Sequence, residues 1–194
     1  MIDKLSRELM AVRVSAELHS GQVVNLGIGL PTLVANYVSS DRNIILHSEN
    51  GLLGYGQDAS EGTGDIDLIN ARGQVSTFFP GGSILSHNDA LSMARSGHLD
   101  VSVLAALQVS ERGDLANWFV PEKGIGSPGA ALDMAAGAKR LIVMTEHTSG
   151  DVSKIMSRCT YPLTVASKVD VIITDVAVME VSSEGLILKE YAPG

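Results

Sequence analysis

Residues 22–32 read QVVNLGIGLPT, a short apolar run that leads into two glycines and a proline. A continuous apolar run of this length, bounded by turn-forming residues, is typical of a strand buried in a parallel sheet. Pro31 lies where the first turn of a following helix tolerates a residue without an N–H group. The stretch therefore predicts a strand, a glycine turn and a helix, which together form the repeating unit of an α/β fold.

The same alternation of elements continues on both sides of this unit. Helical spacing and capping residues predict helices over residues 3–20, 86–96 and 130–138. In the first of these, Leu5, Leu9, Val12 and Ala16 form the expected apolar face. Apolar runs predict further strands over residues 44–47, 75–79, 101–107, 141–144 and 169–173, and a hairpin over residues 176–189. Residues 51–64 are glycine-rich and acidic, and we predict a loop there.

This order of elements predicts a parallel or mixed sheet with helices on both faces. Hydrophobic residues make up 45% of the 194 positions, but only 4% are aromatic, so small aliphatic side chains must fill the core. That balance favours a helix-covered sheet over an aromatic-rich β-sandwich. No Pro/Ser-rich linker divides the chain, and we predict a single domain over residues 1–194.

Composition and charge exclude several classes of function. A formal charge of −8 without any basic run argues against a nucleic-acid partner. The single cysteine, Cys159, excludes a disulfide framework, and the five histidines show no metal-ligand spacing, so we predict no metal site. No signal-peptide core and no apolar run of ~20 residues is present, so we expect no membrane partner and a cytoplasmic location.

Glu49 is the first candidate for chemistry. It follows the predicted strand 44–47 and precedes Asn50 and Gly51, which places its carboxylate on a tight turn at the carboxyl end of a strand. In open α/β sheets ligands bind at this edge, and a carboxylate held there is able to attack an acyl carbon. A solvated turn glutamate is the alternative that the spacing leaves open.

Two glycine-rich loops are candidates for ligand binding. The loop Gly27, Ile28, Gly29, Leu30, Pro31 lacks the third glycine of a dinucleotide fingerprint, because Thr32 stands there. Its N–H groups are able to bind a carboxylate, a phosphate or a pantetheine amide, but a plain βα turn is the alternative. Residues 124–131 precede a predicted helix and form either an oxyanion-binding loop or a flexible connector.

Several of these segments resemble the β subunit of class I coenzyme A transferases, the 3-oxoacid, acetate/acetoacetate and 3-oxoadipate enzymes. The matching segments are residues 24–32 (VNLGIGLPT), 48–51 (SENG), 97–100 (GHLD), 114–118 (DLANW) and 162–164 (PLT). The Ser-Glu-Asn-Gly motif is the most specific of them, and the similarity extends from about residue 8 to residue 190.

The resemblance implies a fold, a mechanism and a partner. The fold is an open three-layer α/β/α sandwich. The nucleophile is the glutamate of the Ser-Glu-Asn-Gly motif, here Glu49, which carries CoA as a glutamyl thioester in a ping-pong reaction. CoA is a substrate, no cofactor is bound permanently, and the active site is shared with a CoA-transferase α subunit. Donors are succinyl-CoA or acetyl-CoA, and acceptors are 3-oxoacids or short-chain carboxylates.

One loop departs from the family pattern. The family usually has Gly-Gly-Ala before Met-Asp-Leu, whereas residues 128–134 here read PGAALDM. Aligned on the glycine pair, Gly129 and Ala130 join Asn50 and Gly51 as the predicted oxyanion and substrate loop, and Ala130 fits if its φ is negative. The alternative functions are a non-catalytic binding protein on the same fold and a CoA-ester hydrolase or lyase subunit.

Overall fold

The computed structural model describes residues 3–193. Within that range lie the α-helices α1 (Arg7–Ala16), α2 (His87–Arg95) and α3 (Ala131–Gly137), with 3-10 helices over Leu30–Tyr37, Ser40–Arg42 and Pro121–Lys123. The strands, in chain order, are β1 (Val23–Leu26), β2 (Ile45–His47), β3 (Leu52–Asp58), β4 (Ser76–Ile84), β5 (Val101–Leu104), β6 (Gln108–Ser110), β7 (Leu115–Ala116), β8 (Phe119–Val120), β9 (Ile125–Gly126), β10 (Arg140–Met144), β11 (Thr148–Ser149), β12 (Val152–Ser153), β13 (Ile155–Met156), β14 (Val171–Ile173), β15 (Ala177–Ser182) and β16 (Gly185–Tyr191).

A nine-stranded mixed sheet forms the centre of the molecule, in the order β16-β15-β14-β10-β5-β1-β2-β3-β4. The five central strands, from β14 to β2, run parallel to one another. Antiparallel hairpins extend the sheet at both ends, β15 with β16 and β3 with β4. The short strands β6, β7 and β13 form a separate small sheet.

Helices cover both faces of the large sheet, which confirms the predicted α/β/α sandwich. Strand β10 shows the arrangement, because its side chains alternate between two hydrophobic clusters. Ile142 and Met144 belong to the cluster that contains α1 and residues of the 3-10 helix Leu30–Tyr37. Leu141 and Val143 belong to the cluster formed with α2 and α3. All four side chains are fully buried, as expected for a strand covered on both faces.

The first helix is shorter than predicted, and its predicted apolar face is wrong. Leu9 and Val12 are 53% and 43% exposed, whereas Met10, Ala11 and Val14 are buried. Apolar residues occur on several sides of this helix, so periodicity alone does not select the side that packs. The chain also leaves the helix at its C-cap, Glu17, several residues before the glycine at position 21.

The predicted loop over residues 51–64 is also partly wrong, because β3 occupies its first half. Strand β4 likewise continues through Pro80 and two glycines to Ile84. The glycines here permit close strand approach, since a Cβ on Gly54 would lie 2.9 Å from Cα of Gly82. Pro80 is tolerated because β4 is the outermost strand on that side.

No helix between residues 3 and 193 is both long and apolar enough to cross a membrane. In the same part of the chain, no group of three or more His, Cys, Asp or Glu side chains is placed to hold a metal ion.

Candidate active site

Glu49 lies at the tip of the turn that joins β2 to β3. The N–H of Gly51 donates to the carbonyl of Ser48 at 2.9 Å, and the N–H of Ser48 donates to the carbonyl of Leu52 at 2.8 Å. These bonds close a four-residue turn with Glu49 at its second position. Because β2 is one of the parallel strands, the turn lies at the edge where α/β sheets bind ligands.

Gly51 fixes this turn against the segment that leads into α2. Its φ is +113°, a conformation that favours glycine. The N–H of Leu85 donates to the Gly51 carbonyl at 2.8 Å, and a Cβ on residue 51 would lie 2.2 Å from the Leu85 carbonyl oxygen. Glycine is therefore required at this position for two independent reasons. Asn50 also stabilises the turn, because its Nδ2 donates a hydrogen bond to the Ile69 carbonyl at 2.7 Å.

The carboxyl group of Glu49 is half-buried, and its environment changes its acidity. Partial burial raises its pKa by disfavouring the charged form, and the nearby positive charge of His87 opposes that shift. His87 is the first residue of α2, and its Nδ1–H donates to the backbone carbonyl of Glu49 at 2.7 Å. The site thus holds a carboxylate that is more basic than an ordinary surface glutamate.

His47 is a neutral, buried imidazole that supports the turn through its hydrogen bonds. Its Nδ1 accepts from Nδ2 of Asn25 at 3.1 Å, and its Nε2–H donates to the Ala90 carbonyl at 3.1 Å. Ser102 completes the chain by donating to Oδ1 of Asn25 at 3.2 Å. Burial lowers the pKa of His47, which favours the neutral ring that this network needs. The network ties β1, β2 and β5 to α2, and it gives His47 a structural role.

Glu49 and the two glycine-rich loops meet at one cavity of about 290 Å³. Its lining, in chain order, is Gly27, Ile28, Glu49, Leu104, Ala105, Ala106, Leu107, Asn117, Ser127, Pro128, Gly129, Ala130 and Ala131. Four of the predicted loop residues, Gly27, Ile28, Gly129 and Ala130, are therefore brought together with the predicted nucleophile. Asn50 and Gly51 shape the turn instead and do not line this cavity.

Residues of the first glycine loop line two different cavities. Gly27 packs closely against β5, since a Cβ there would lie 2.6 Å from Cδ2 of Leu104, and its N–H donates to the Val103 carbonyl at 2.9 Å. Gly29 and Leu30 line a neighbouring cavity of about 380 Å³. Pro31 is buried at the start of the 3-10 helix, where it serves the turn rather than either cavity.

The backbone of the second glycine loop accommodates alanine at position 130, where the family pattern has a glycine. Gly129 has a φ of +50°, whereas Ala130 has a φ of −83°. The positive φ thus falls on the glycine, and alanine at 130 adopts an ordinary conformation. Among residues 3–193, no backbone carbonyl accepts from the N–H of Gly129 or Ala130, so both donors remain available.

Asn117 is a cavity residue that the sequence-based selection of site residues omitted. Its Nδ2 donates to the Ala105 carbonyl at 3.1 Å, and its Oδ1 accepts from the Thr164 hydroxyl at 2.6 Å. These bonds hold the segment after β5 against the cavity. The signal was present in the sequence, because residues 114–118 and 162–164 are two of the motif segments that carry the resemblance.

Comparison with known proteins identifies relatives over almost the whole chain. A family model described as Coenzyme A transferase matches residues 7–194. The B-type subunit of 3-oxoadipate CoA-transferase from Pseudomonas putida is 52% identical over 189 residues, which cover 96% of this chain and 88% of that protein. The B-type subunit of succinyl-CoA:3-ketoacid coenzyme A transferase from Helicobacter pylori is 47% identical over 190 residues, covering 97% and 91%.

A solved structure extends the comparison to three dimensions. The acyl-CoA transferase of Escherichia coli O157:H7, described as a thioester complex with CoA, superimposes with a TM-score of 0.76 at 25% sequence identity. The match covers 100% of this chain and 39% of that chain, so this fold corresponds to one part of the longer protein.

Proposed function

Because this chain belongs to the coenzyme A transferase family, we propose that it is the β (B-type) subunit of such an enzyme and that Glu49 is the nucleophile. The enzyme moves CoA from a donor, succinyl-CoA or acetyl-CoA, to a 3-oxoacid or short-chain carboxylate. The observation that carries the proposal is a half-buried carboxylate on a rigid turn, facing a cavity lined by two glycine loops. Both relatives are B-type subunits by name, which supports the assignment of this chain as the B-type subunit.

The first half-reaction transfers CoA onto the protein. The Glu49 carboxylate attacks the thioester carbon of the donor, and the C–S bond breaks to give a mixed anhydride and CoA thiolate. The thiolate then attacks the glutamyl carbon of the anhydride, which releases the donor carboxylate and leaves a glutamyl-CoA thioester. The acceptor carboxylate reverses these two steps, so that Glu49 is regenerated and acyl-CoA leaves.

The geometry supplies what each step requires. A carboxylate is a weak nucleophile in water, and the partial burial that raises the pKa of Glu49 also makes it more basic. Each tetrahedral intermediate needs hydrogen-bond donors, and the free N–H groups of Gly129 and Ala130 belong to residues that line the same cavity as Glu49. Loss of one such donor commonly costs about 3 kcal/mol in the transition state.

The proposed enzyme also has a partner subunit and a cellular location. An α subunit contributes the remainder of the active site, CoA enters and leaves as a substrate, and no cofactor stays bound. The complex works in the cytoplasm. The E. coli relative described as a thioester complex with CoA supports the covalent intermediate.

A substitution of Glu49 tests this function. We expect Glu49→Gln, assayed with the α subunit present, to abolish CoA transfer while the complex still assembles. Glu61→Gln removes an exposed carboxylate from the loop after β3 and serves as the matched control, with normal transfer. Normal turnover by Glu49→Gln would reject the mechanism. Hydrolysis of acyl-CoA without an acceptor, in place of transfer, would favour a hydrolase.

A further inference from the structure

The turn that carries Glu49 is held from two sides. On one side, the N–H of Leu85 donates to the Gly51 carbonyl at 2.8 Å. On the other side, Nδ2 of Asn50 donates to the Ile69 carbonyl at 2.7 Å. Asn50 is exposed, and a hydrogen bond made by an exposed side chain is readily exchanged for one to water. The second contact therefore holds the turn only if the Ile69 carbonyl is itself fixed.

Ile69 belongs to a small hairpin within the segment between β3 and β4. The N–H of Ser76 donates to the Leu68 carbonyl at 2.9 Å, on one side of Ile69. On its other side, the N–H of Asn70 donates to the Gln74 carbonyl at 2.9 Å. Because backbone hydrogen bonds lie on both sides of Ile69, its peptide groups have little freedom to move.

Asn70 is buried within this largely exposed segment. It is 2% exposed, whereas residues 61–67 are all exposed. Its Oδ1 accepts from the N–H of Arg72 at 2.9 Å and from the N–H of Gln74 at 3.2 Å, which closes the end of the hairpin. Its Nδ2 donates to Oδ1 of Asp58 at 3.2 Å. Two N–H donors and one carboxylate distinguish the oxygen of this amide from its nitrogen, so the orientation of the side chain is fixed.

Asp58 connects Asn70 to the 3-10 helix over Leu30–Tyr37, which packs against β3. Asp58 is the last residue of β3, and its N–H donates to Oδ1 of Asn36 at 2.7 Å. Asn36 lies in that 3-10 helix, and its Nδ2 donates back to Oδ2 of Asp58 at 3.1 Å. Side-chain hydrogen bonds therefore connect the 3-10 helix, through Asp58 and Asn70, to the hairpin whose carbonyl Asn50 contacts.

We propose that Asn70, held by Asp58, is a positioning residue for Glu49. Asn70 fixes the Ile69 carbonyl, that carbonyl holds Asn50, and Asn50 keeps the turn in the orientation that the transfer reaction requires. A displacement of about 1 Å at a reacting group is enough to slow a reaction severely, so contacts outside the cavity affect the rate. The inference rests on the proposed function, because the effect falls on the step in which Glu49 attacks.

Asn70→Ala, in the complex with the α subunit, tests this role. Formation of the glutamyl-CoA thioester from succinyl-CoA without acceptor is followed by rapid quench. We expect it to slow roughly 10-fold, the upper range for losing one hydrogen bond between neutral groups, with the KM for the donor within about 2-fold of wild type. Asp100→Ala is the control, because it removes a carboxylate that accepts from the N–H of Val23 at the amino end of β1. It should lower stability and leave the rate unchanged.

A double-mutant cycle with Asn50→Ala tests whether Asn70 acts through Asn50. Asn50→Ala alone should slow thioester formation at least as much as Asn70→Ala does. In the Asn50→Ala background, Asn70→Ala should cause no further slowing, although it lowers the urea midpoint of unfolding as it does in the wild type. Effects on the rate that multiply in the double variant would overturn the proposal, and so would a normal rate in Asn70→Ala.

An exchange of the two side chains keeps the proposal testable if Asn70→Ala fails to fold. The double variant Asp58→Asn/Asn70→Asp interchanges the carboxylate and the amide. It retains the net charge, the hydrogen bond between the two positions and the acceptor for the N–H groups of Arg72 and Gln74. Asn70→Asp alone sets two carboxylates against each other and should slow thioester formation, whereas the double variant should return to within about 2-fold of wild type. Recovery of stability without recovery of rate would refute a positioning role.

Amide hydrogen exchange separates this inference from the chemistry at Glu49. In the complex without substrate, a peptide containing residues 48–52 should exchange faster in Asn70→Ala than in the wild type or Asp100→Ala, because the N–H groups of Ser48 and Gly51 are bonded within the turn. This result does not depend on glutamyl-CoA formation, whereas failure of the proposed function is seen as normal turnover by Glu49→Gln. Unchanged exchange in that peptide would overturn the inference, even if the transfer rate falls.

Discussion

Replacing Gly51 by alanine should loosen the turn that carries Glu49. Residue 51 has a φ of +113°, and holding an alanine in such a conformation costs about 1–3 kcal/mol. The new Cβ would lie 2.2 Å from the Leu85 carbonyl oxygen, so that carbonyl must move. The hydrogen bond from the Leu85 N–H to residue 51 is then strained or lost, at about 1 kcal/mol. We therefore expect the free energy of unfolding to fall by about 2–4 kcal/mol.

The same change should slow the transfer reaction. A shift of about 1 Å in the position of Glu49 is enough to reduce glutamyl-CoA formation roughly 100-fold. The assay is rapid-quench measurement of thioester formation in the complex, with urea unfolding at a fixed protein concentration, because association contributes to apparent stability.

Gly21→Ala is the matched control for this experiment. Gly21 has a φ of +82°, and a Cβ there meets nothing within 4 Å. This variant introduces the backbone strain without the clash and lies away from the cavity, so its transfer rate should stay normal. If Gly51→Ala matches Gly21→Ala in both stability and rate, then the contact with Leu85 does not hold the turn and the reasoning is refuted.

Further predictions concern pH and the second glycine loop. The rate of thioester formation should fall as pH drops through the pKa of Glu49, which lies above its ordinary value of 4.5, because only the carboxylate attacks. His87→Gln removes the positive charge that lowers this pKa, so the fall should begin at a higher pH; coincident pH profiles would argue against a link between the two groups. Ala130→Gly should keep or raise the rate, since φ at 130 is negative, whereas Gly129→Ala should slow it by straining a φ of +50°; the reverse order in rate assays would contradict the assigned loop.

Much of the fold was predictable because apolar runs and glycine turns specify it locally. Strands β1 and β10 and the turn after β1 agree with the predicted positions, since a strand covered on both faces needs a continuous apolar run. Strand β5 begins where predicted but ends at Leu104 rather than at residue 107. The side of α1 that packs was not predictable, because Leu9 and Met10 are both apolar and only the sheet beneath decides between them. Strand β3 was missed because its glycines serve close packing against β4, a tertiary contact that resembles a loop in composition.

The candidate site was likewise predictable from the sequence only in part. The convergence of Glu49 with Gly27 followed from one rule, that loops at the carboxyl ends of parallel strands meet at one edge. The rule does not cover Gly129, which reaches the same cavity from the segment between the antiparallel strand β9 and α3. The neighbouring cavity of about 380 Å³ did not follow from it. Its lining includes Lys154 and Arg72, which lie in ordinary segments, and their meeting depends on the path of the loops after β3 and β10. No local pattern in the sequence records that path.

Trapping of the covalent intermediate tests whether Glu49 carries CoA. The complex of this chain with its α subunit is incubated with acetoacetyl-CoA or succinyl-CoA without acceptor, reduced with borohydride, digested and analysed by peptide mass spectrometry. We expect that the reduced side chain is residue 49, and that acceptor added before borohydride removes the modification. An unmodified Glu49 in a complex that demonstrably binds the CoA ester would contradict it.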